Sequence, residues 1–199
     1  MIGLCLTLLA GAFQPAALQS FEVDPLPYGV RAAGIVMLDV AVDARGAAVD
    51  ARVLQDVPPF TELMRVPLPR WRFRAAGENG RPVPSRVFVA GIFRPAMLEF
   101  AAPTAPQLPD PDPEAAVPIP TAVAIAPYPP TAMNDAVVMV ELQLDGDGAI
   151  QNARVLGGSP GFTDAALAAA KQWTFRPARR KGSPAPARAY LFFLFRQPA

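Results

Sequence analysis

The 199-residue chain contains no histidine and a single cysteine, Cys5. A disulfide framework is therefore excluded, and so is a metal site that needs imidazole or paired thiolate ligands. Without histidine, the side chain most often used as a general base is missing. Neither a Ser-x-x-Lys motif nor a glycine-rich phosphate loop occurs. These absences predict a protein that is not an enzyme and that has no cofactor or metal site.

Charge of either sign is scarce, with 18 basic and 17 acidic residues and a net charge of +1. Residues 26–94 hold 10 basic and 6 acidic residues, and residues 128–196 hold 8 and 5. Residues 95–127 between them hold 4 acidic residues and no basic one. Two mildly basic blocks are thus joined by an acidic connector. This balance is too weak for a nucleic-acid interface, so nucleic acid is not an expected partner.

The N-terminus is apolar and carries no basic residue before Arg31. Its sequence Leu-Leu-Ala-Gly-Ala at residues 8–12 resembles the apolar core and small-residue cleavage region of a secretory signal peptide. The apolar run is too short to span a bilayer as a helix. We predict a signal peptide over residues 1–20, with a membrane-anchor stub or an ordinary buried segment as alternatives.

An internal repeat is visible when the chain is shifted by 102 positions, which aligns residues 26–94 with residues 128–196 without a gap. The recurring residues include those with the most specific shapes: Ala51-Arg52-Val53-Leu54 recurs as Ala153-Arg154-Val155-Leu156, Trp71 and Phe73 as Trp173 and Phe175, and Phe93-Arg94 as Phe195-Arg196. We therefore predict a tandem duplication, with a first module at residues 26–95 and a second at residues 128–197.

Proline recurs through residues 96–127, where it alternates with alanine and acidic residues. Such a stretch cannot build a core and favours extended polyproline II. We predict a semi-rigid linker that allows the two modules to act separately.

Each module is predicted to fold as strand, strand, helix, strand. In the second copy, apolar and polar residues alternate over 138–144, which is typical of a half-buried strand. An Asp/Gly turn and a second strand at 149–156 complete a hairpin, a helix follows at 165–173, and the last strand is 187–195. In the first copy, two prolines interrupt the helix position, so a short helix or irregular turn is expected there. The predicted fold class is α+β, with two small antiparallel-sheet modules, each with one or two helices packed on one face, joined by the Pro-rich linker.

The motifs of both copies together resemble the TonB C-terminal domain family. In the second copy they are Tyr128-Pro129-Pro130, the Asp-Gly turn, Trp173-Thr174-Phe175-Arg176-Pro177-Ala178, Gly182-x-Pro184 and the aromatic last strand, and the first copy has Trp71-Arg72-Phe73, Gly80-x-Pro82 and Phe93. The resemblance implies an exported, periplasmic module. In that family a sheet edge near the C-terminus receives an extended peptide from an outer-membrane transporter, and an inner-membrane partner supplies proton-motive energy.

The last strand is the first candidate site, because a free strand edge can accept a peptide by β-strand addition. The residues predicted to bind a partner are Arg188, Tyr190, Phe192, Leu194 and Arg196. Alternation puts Tyr190, Phe192 and Leu194 on one face and Leu191, Phe193 and Phe195 on the other. The alternative is an ordinary core strand that pairs with its own copy or with a second chain, which would make the protein a non-transducing envelope adaptor or a homodimer.

The densest basic cluster is the second candidate site. Its members are Arg176, Arg179, Arg180 and Lys181. The cluster is either a solvated loop or a surface for acidic peptide, lipid headgroups or cell-wall polymer.

Two further motifs are assigned structural roles. Trp71, Phe73, Trp173 and Phe175 are predicted to be core residues and not ligand-stacking aromatics. Asp145 and Asp147 are spaced as in a calcium loop, but the first copy has Arg45 at the position of Asp147. We therefore predict a turn and no metal site.

Overall fold

The computed structural model describes residues 13–22, 33–93, 108–109 and 112–197. Within these residues the chain is mixed α+β and mostly strand. The elements are β1 (Ala17–Ser20), β2 (Gly34–Val42), β3 (Ala48–Gln55), α1 (Phe60–Arg65), a 3-10 turn (Leu68–Arg70), β4 (Arg72–Arg74), β5 (Ala76–Glu78), β6 (Arg81–Val83), β7 (Ser85–Phe93), β8 (Ile119–Ala122), β9 (Ala136–Leu144), β10 (Ile150–Gly158), α2 (Thr163–Ala170), β11 (Thr174–Arg176), β12 (Ala178–Arg180), β13 (Ser183–Ala185) and β14 (Ala187–Phe195).

The elements recur at the offset of 102 residues seen in the sequence. Six strands of the first half have counterparts in the second half with bounds that lie 102 residues later. The pairs are β1 and β8, β2 and β9, β4 and β11, β5 and β12, β6 and β13, and β7 and β14. The tryptophan contacts recur as well: Trp71 Nε1 donates to Glu22 O at 2.8 Å, and Trp173 Nε1 donates to Ala124 O at 3.0 Å. The structural repeat therefore begins upstream of residue 26, because β1 and β8 belong to it.

The hairpins of both halves join in one six-stranded sheet with the order β10-β9-β14-β7-β2-β3. Its pairs are antiparallel except at the centre, where β14 and β7 run parallel. The predicted layout of two separate antiparallel sheets is therefore wrong. A separate three-stranded sheet would leave one edge of its last strand unpaired. Here the last strands of the two halves, β7 and β14, hydrogen-bond to each other along those edges.

The register of the central pair places equivalent residues on opposite faces. Ala189 pairs with Phe88 and Leu194 pairs with Phe93, an offset of 101 and not 102 residues. Because a shift of one residue exchanges the two faces of a strand, each residue of β14 points away from the side on which its counterpart in β7 lies. Phe88 and its counterpart Tyr190 accordingly lie in different hydrophobic cores.

Each face of the sheet carries a hydrophobic core that contains residues of both halves. The core beneath α2 includes Trp173 and Phe175 together with Phe88 of the first half, and the Phe88 and Phe175 ring centroids are 5.9 Å apart. The core beneath α1 includes Trp71 together with Phe192 of the second half, with centroids 5.0 Å apart. Each half therefore covers a face that the other half helps to build.

The four aromatic residues predicted to be core residues, Trp71, Phe73, Trp173 and Phe175, are all buried. The helices differ slightly from expectation. α2 begins at Thr163 and ends at Ala170, earlier than the predicted 165–173, so Trp173 follows the helix. The short helix expected in the first copy is confirmed: α1 has six residues, and the 3-10 turn at the two prolines follows it.

Parts of the predicted linker and leader belong to the fold. Ala115, Val117, Ile119 and Ala126 are buried, and β8 pairs with β11, so residues 115–126 do not act as a free linker. Likewise β1 pairs with β4, and the predicted signal peptide of residues 1–20 overlaps it. Residues 1–12, 96–107 and 110–111 of the two predicted segments lie outside the described residues. In the part of the chain that is described, no helix has the length and apolar character needed to cross a membrane.

A shared core predicts that damage in one half destabilises the other. Phe192→Ala removes a ring that packs on Trp71, and we expect it to lower the free energy of unfolding by about 3–5 kcal/mol while unfolding stays a single transition. The measurement is urea denaturation followed by both circular dichroism and tryptophan fluorescence. Val66→Ala, at a side chain that is 60% exposed, is the control and should leave the midpoint unchanged. A variant whose first half still unfolds at the wild-type midpoint would contradict the shared core.

Candidate functional site: the last strand and the contact between the halves

The strand assigned to partner binding lies in the middle of the sheet. On one side β14 pairs with β9 along its whole length, from Ala187 to Phe195. On the other side it pairs with β7 from Ala189 to Leu194. The prediction of a free edge at Arg188–Arg196 is therefore wrong, because both rows of backbone donors and acceptors already have partners. No peptide can add to β14 while this pairing lasts.

The side chains predicted to contact a partner are not available to one either. Tyr190, Phe192 and Leu194 are buried in the core beneath α1, and Leu191 and Phe193 are buried in the opposite core. The predicted alternation between two faces is thus confirmed, but both faces are covered. The sequence carried this signal, since a strand that is apolar on both faces is typical of a buried central strand.

The two free edges of the sheet are instead β3 and β10, each of which pairs with one strand among the described residues. β10 contains two register irregularities, between Ile150 and Asn152 and between Val155 and Gly157. Its exposed side chains include Gln151 and Asn152. Bulges and polar side chains are features by which natural sheets avoid edge pairing. The β10 edge is therefore poorly suited to strand addition.

An ion-pair network around a buried carboxylate joins three adjacent strands, and it was not predicted from the sequence. Glu141 on β9 is fully buried, and its Oε1 lies 2.8 Å from both Arg154 Nε on β10 and Arg188 Nη1 on β14. The first half has the same arrangement, with Asp39 between Arg52 and Arg86. Arg188 is thus an internal ion-pair partner. The sequence did contain a signal for this network. An acidic residue at an inward position of a strand and two arginines recur together at the offset of 102 residues.

Tyr190 ties this network to the N-terminal strand of the other half. Its hydroxyl accepts a hydrogen bond from Leu18 N at 2.8 Å and lies 3.3 Å from Glu141 Oε2. Burial, together with the nearby Glu141 charge, raises the pKa of Tyr190, so the hydroxyl stays protonated. Burial also acts to raise the pKa of Glu141, but hydrogen bonds from Arg154 and Gln143 and the charge of Arg188 outweigh it and hold that pKa below its usual value.

The basic loop joins the two halves. Arg180 Nη2 lies 3.2 Å and Lys181 Nζ 3.0 Å from Glu78 Oε2 in the first half. The Arg180 guanidinium also lies 4.4 Å from the centroid of the Phe13 ring. Hydrogen bonds from Arg180 and Lys181 hold the pKa of Glu78 below its usual value. Half of the predicted basic cluster is therefore an ion-pair contact across the repeat.

The other two members of the cluster have different surroundings. Arg179 Nη1 donates to Gly182 O at 2.7 Å, and Arg179 Nε lies 3.9 Å from Glu114 Oε1. Arg176 is exposed at the end of β11. Arg196, from the predicted partner-binding set, follows the end of β14 and is half-buried.

The Asp/Gly segments form the predicted turns. Asp145 Oδ1 accepts hydrogen bonds from the amides of Asp147 and Ala149, both at 2.9 Å. Asp43 Oδ1 accepts the same two bonds in the first half, from Arg45 and Ala47. The Ala149 amide is the main cause that lowers the pKa of Asp145. Among the described residues, no group of three or more Asp, Glu, Cys or His side chains is arranged to hold a metal ion.

Comparison with known proteins gives a match for one part of the chain. Residues 126–196 match the family model of the Gram-negative bacterial TonB protein C-terminal. The match indicates a TonB-like module, a type of domain that is periplasmic in Gram-negative bacteria and interacts with envelope proteins such as outer-membrane transporters. It spans β9 to β14, which is the half containing the Glu141 network and the strand predicted to bind a partner. No curated protein matches the chain.

The buried carboxylate predicts an acid-sensitive fold. A pKa that is lower in the folded than in the unfolded state stabilises the fold above the unfolded value, and this contribution is lost as pH falls through the folded value. Stability should therefore decline below about pH 5. Glu141→Gln should cost about 3 kcal/mol at pH 7, because Arg188 loses its buried counterion, and should flatten the decline. The measurement is the urea unfolding free energy between pH 3 and 7.

Asp50→Asn is the matched control, since Asp50 is an exposed carboxylate on β3. It should keep both the wild-type stability at pH 7 and the wild-type slope. A Glu141→Gln protein that is as stable and as acid-sensitive as the wild type would refute a stabilising role for the network.

Proposed function

We propose that the protein is a TonB-like envelope adaptor whose two halves pair permanently through the strands that would otherwise receive a partner peptide. The observation that carries this proposal is the parallel pairing of β14 with β7, from Ala189–Phe88 to Leu194–Phe93. In this form, the strand edge that binds a peptide in the TonB C-terminal domain family is already paired with a strand of the same chain. The adaptor then engages partners through other surfaces of the six-stranded unit.

We infer that the first half is a second, diverged copy of the same module. Three kinds of equivalence support this: the strand bounds, the tryptophan-to-carbonyl hydrogen bonds and the carboxylate between two arginines all recur at one offset. Because each chain supplies both copies, strand pairing does not require a homodimer.

The proposed location is the periplasm, reached by export. The proposed partners are envelope proteins, among them outer-membrane TonB-dependent transporters and an inner-membrane proton-driven partner. The family match at residues 126–196 supports both proposals. The proposed role is binding and not catalysis, which agrees with a sequence that has no histidine.

The second candidate is a transducer that binds a transporter peptide at β14 after the halves separate, and the family match favours it. Separation would break the pairing along β7 and expose residues of both cores, such as Phe88 and Phe192. Exposure of large aromatic side chains costs roughly 2 kcal/mol for each one. This candidate therefore needs a partner or a force that separates β7 from β14. We call the pairing of these two strands the seam.

Locking the seam separates the two candidates. Ala90 and Leu191 are register partners in β7 and β14, so Ala90→Cys/Leu191→Cys, with Cys5→Ser, can form a covalent link across the seam. The probe is a fluorescent synthetic peptide with the N-terminal extended segment of an outer-membrane transporter, followed by anisotropy. We expect no binding in either redox state, and envelope crosslinking that is equal in the locked and reduced forms.

Leu191→Cys alone, also with Cys5→Ser, is the control for side-chain truncation, since it cannot form the link. Peptide binding that appears in the reduced protein and disappears on oxidation would overturn the adaptor proposal in favour of the transducer.

A further inference from the structure

A cavity of about 410 Å³ opens between the halves, at the end of the sheet where β7 and β14 begin. We call it the seam pocket. Its walls include Phe13, Ser85 and Arg86 of the first half and Arg179, Arg180 and Lys181 of the second. A cavity of this size lies within the range of small-ligand sites. It exists only because the halves share one sheet.

The charges that line the seam pocket are mainly positive. Four side chains are cationic, namely Arg86, Arg179, Arg180 and Lys181, whereas Asp43 is the single acidic one in the lining. The Asp43 carboxylate is engaged by its own turn, where its Oδ1 accepts two backbone hydrogen bonds. It therefore competes little for the cations across the pocket.

Carboxylates outside the lining neutralise these cations only in part. Arg86 is paired with Asp39. Glu78 offers one negative charge to both Arg180 and Lys181. Glu114 is 71% exposed and lies 3.9 Å from Arg179, and an exposed pair of this kind contributes little. The second-half wall of the pocket therefore keeps positive charge that is available to a ligand.

The first-half wall of the pocket contains a buried hydroxyl with no partner among the described residues. Ser85 Oγ has almost no solvent-accessible surface and makes no hydrogen bond to any described residue. Buried polar atoms in proteins are nearly always hydrogen-bonded to protein or to water. Because Ser85 Oγ is closed to solvent, a ligand oxygen reaches it only after the side chain rotates toward the cavity.

We propose that the seam pocket binds a carboxylate group of a peptide segment. Arg179 and Lys181 hold the carboxylate, Ser85 Oγ rotates toward the cavity and donates to one of its oxygens, and the Phe13 ring and neighbouring prolines contact the apolar part of the peptide. One carboxylate matches the single positive charge that remains when Glu78 and Glu114 are counted against Arg179, Arg180 and Lys181. A doubly charged phosphate would be matched less well. The site requires neither a transporter nor access to β14.

The test is an amide chemical-shift titration of the whole protein with three short peptides. Acetyl-Ala-Glu-Ala-amide offers a side-chain carboxylate, acetyl-Ala-Ala-Ala offers a terminal carboxylate, and acetyl-Ala-Ala-Ala-amide offers neither. At least one of the first two should shift amides within residues 85–87 and 179–182, with an affinity that falls as salt is added, and the third should not. Shifts confined to residues 189–194 would instead report strand addition, so this test is separate from that of the adaptor.

Four variants are expected to differ in the direction in which they change carboxylate binding. Arg179→Gln and Ser85→Ala should each weaken carboxylate binding, the first by about tenfold. Glu78→Gln should tighten it, because Arg180 and Lys181 lose their counterion. Arg74→Gln, at an exposed residue of β4 outside the pocket, should change nothing. Amide spectra of each variant establish that it is folded.

Three kinds of result would overturn the proposal. The first is that the wild-type protein shows equal amide shifts with all three peptides, or no shifts with any of them. The second is wild-type affinity for the carboxylate peptides in a folded Arg179→Gln or Ser85→Ala protein, and the third is inorganic phosphate that binds more tightly than both carboxylate peptides. Which of the two carboxylate peptides binds tighter identifies the source of the group as a side chain or a chain terminus.

Discussion

The parallel pairing of β14 with β7 is the contact on which the rest of the structure depends. In a three-stranded unit built from a hairpin and a last strand, one row of the last strand's backbone donors and acceptors is unpaired. The other half supplies the missing partner within the same chain. The one-residue register shift then sends equivalent side chains to opposite faces, so that each half contributes the cover for one face of a common sheet.

The polar contacts strengthen the same connection. The Tyr190 hydroxyl bonds to the backbone of β1 in the other half, and Glu78 bridges to the basic loop across the repeat. The net stability from the Glu141 network is small relative to that from apolar residues of similar size, because removal of charges from water is costly, although loss of one partner leaves a buried charge unpaired. The position of this network on three adjacent strands requires one alignment of β10, β9 and β14. An apolar sheet alone would specify that alignment less strongly.

Much of the fold could be predicted from local signals. The Asp/Gly turns and the buried Trp71 and Trp173 depend on neighbouring residues and on the repeat, and they lie as expected. Alternation correctly predicted a strand at β9 but wrongly predicted that it is half-buried, because Met139 and Glu141 on its other face are buried as well. The position of β14 depends on a contact between strands about 100 residues apart, which no local pattern determines. The same limit concealed the seam pocket, since its walls come from both halves. Composition also misled, because the prolines suggested a free linker although residues 115–126 are partly buried.

Native-state hydrogen exchange on the β14 amides is the most direct measurement of the permanent seam. If β14 is a central strand held by both neighbours, its amides from Ala189 to Leu194 exchange only with global unfolding, as slowly as those of β9 that face β14. The amides of β10 that point to the free edge exchange faster. Exchange of the β7-facing amides of β14 at the rate of that edge, while β9 stays protected, would mean that the halves separate readily and would contradict the account.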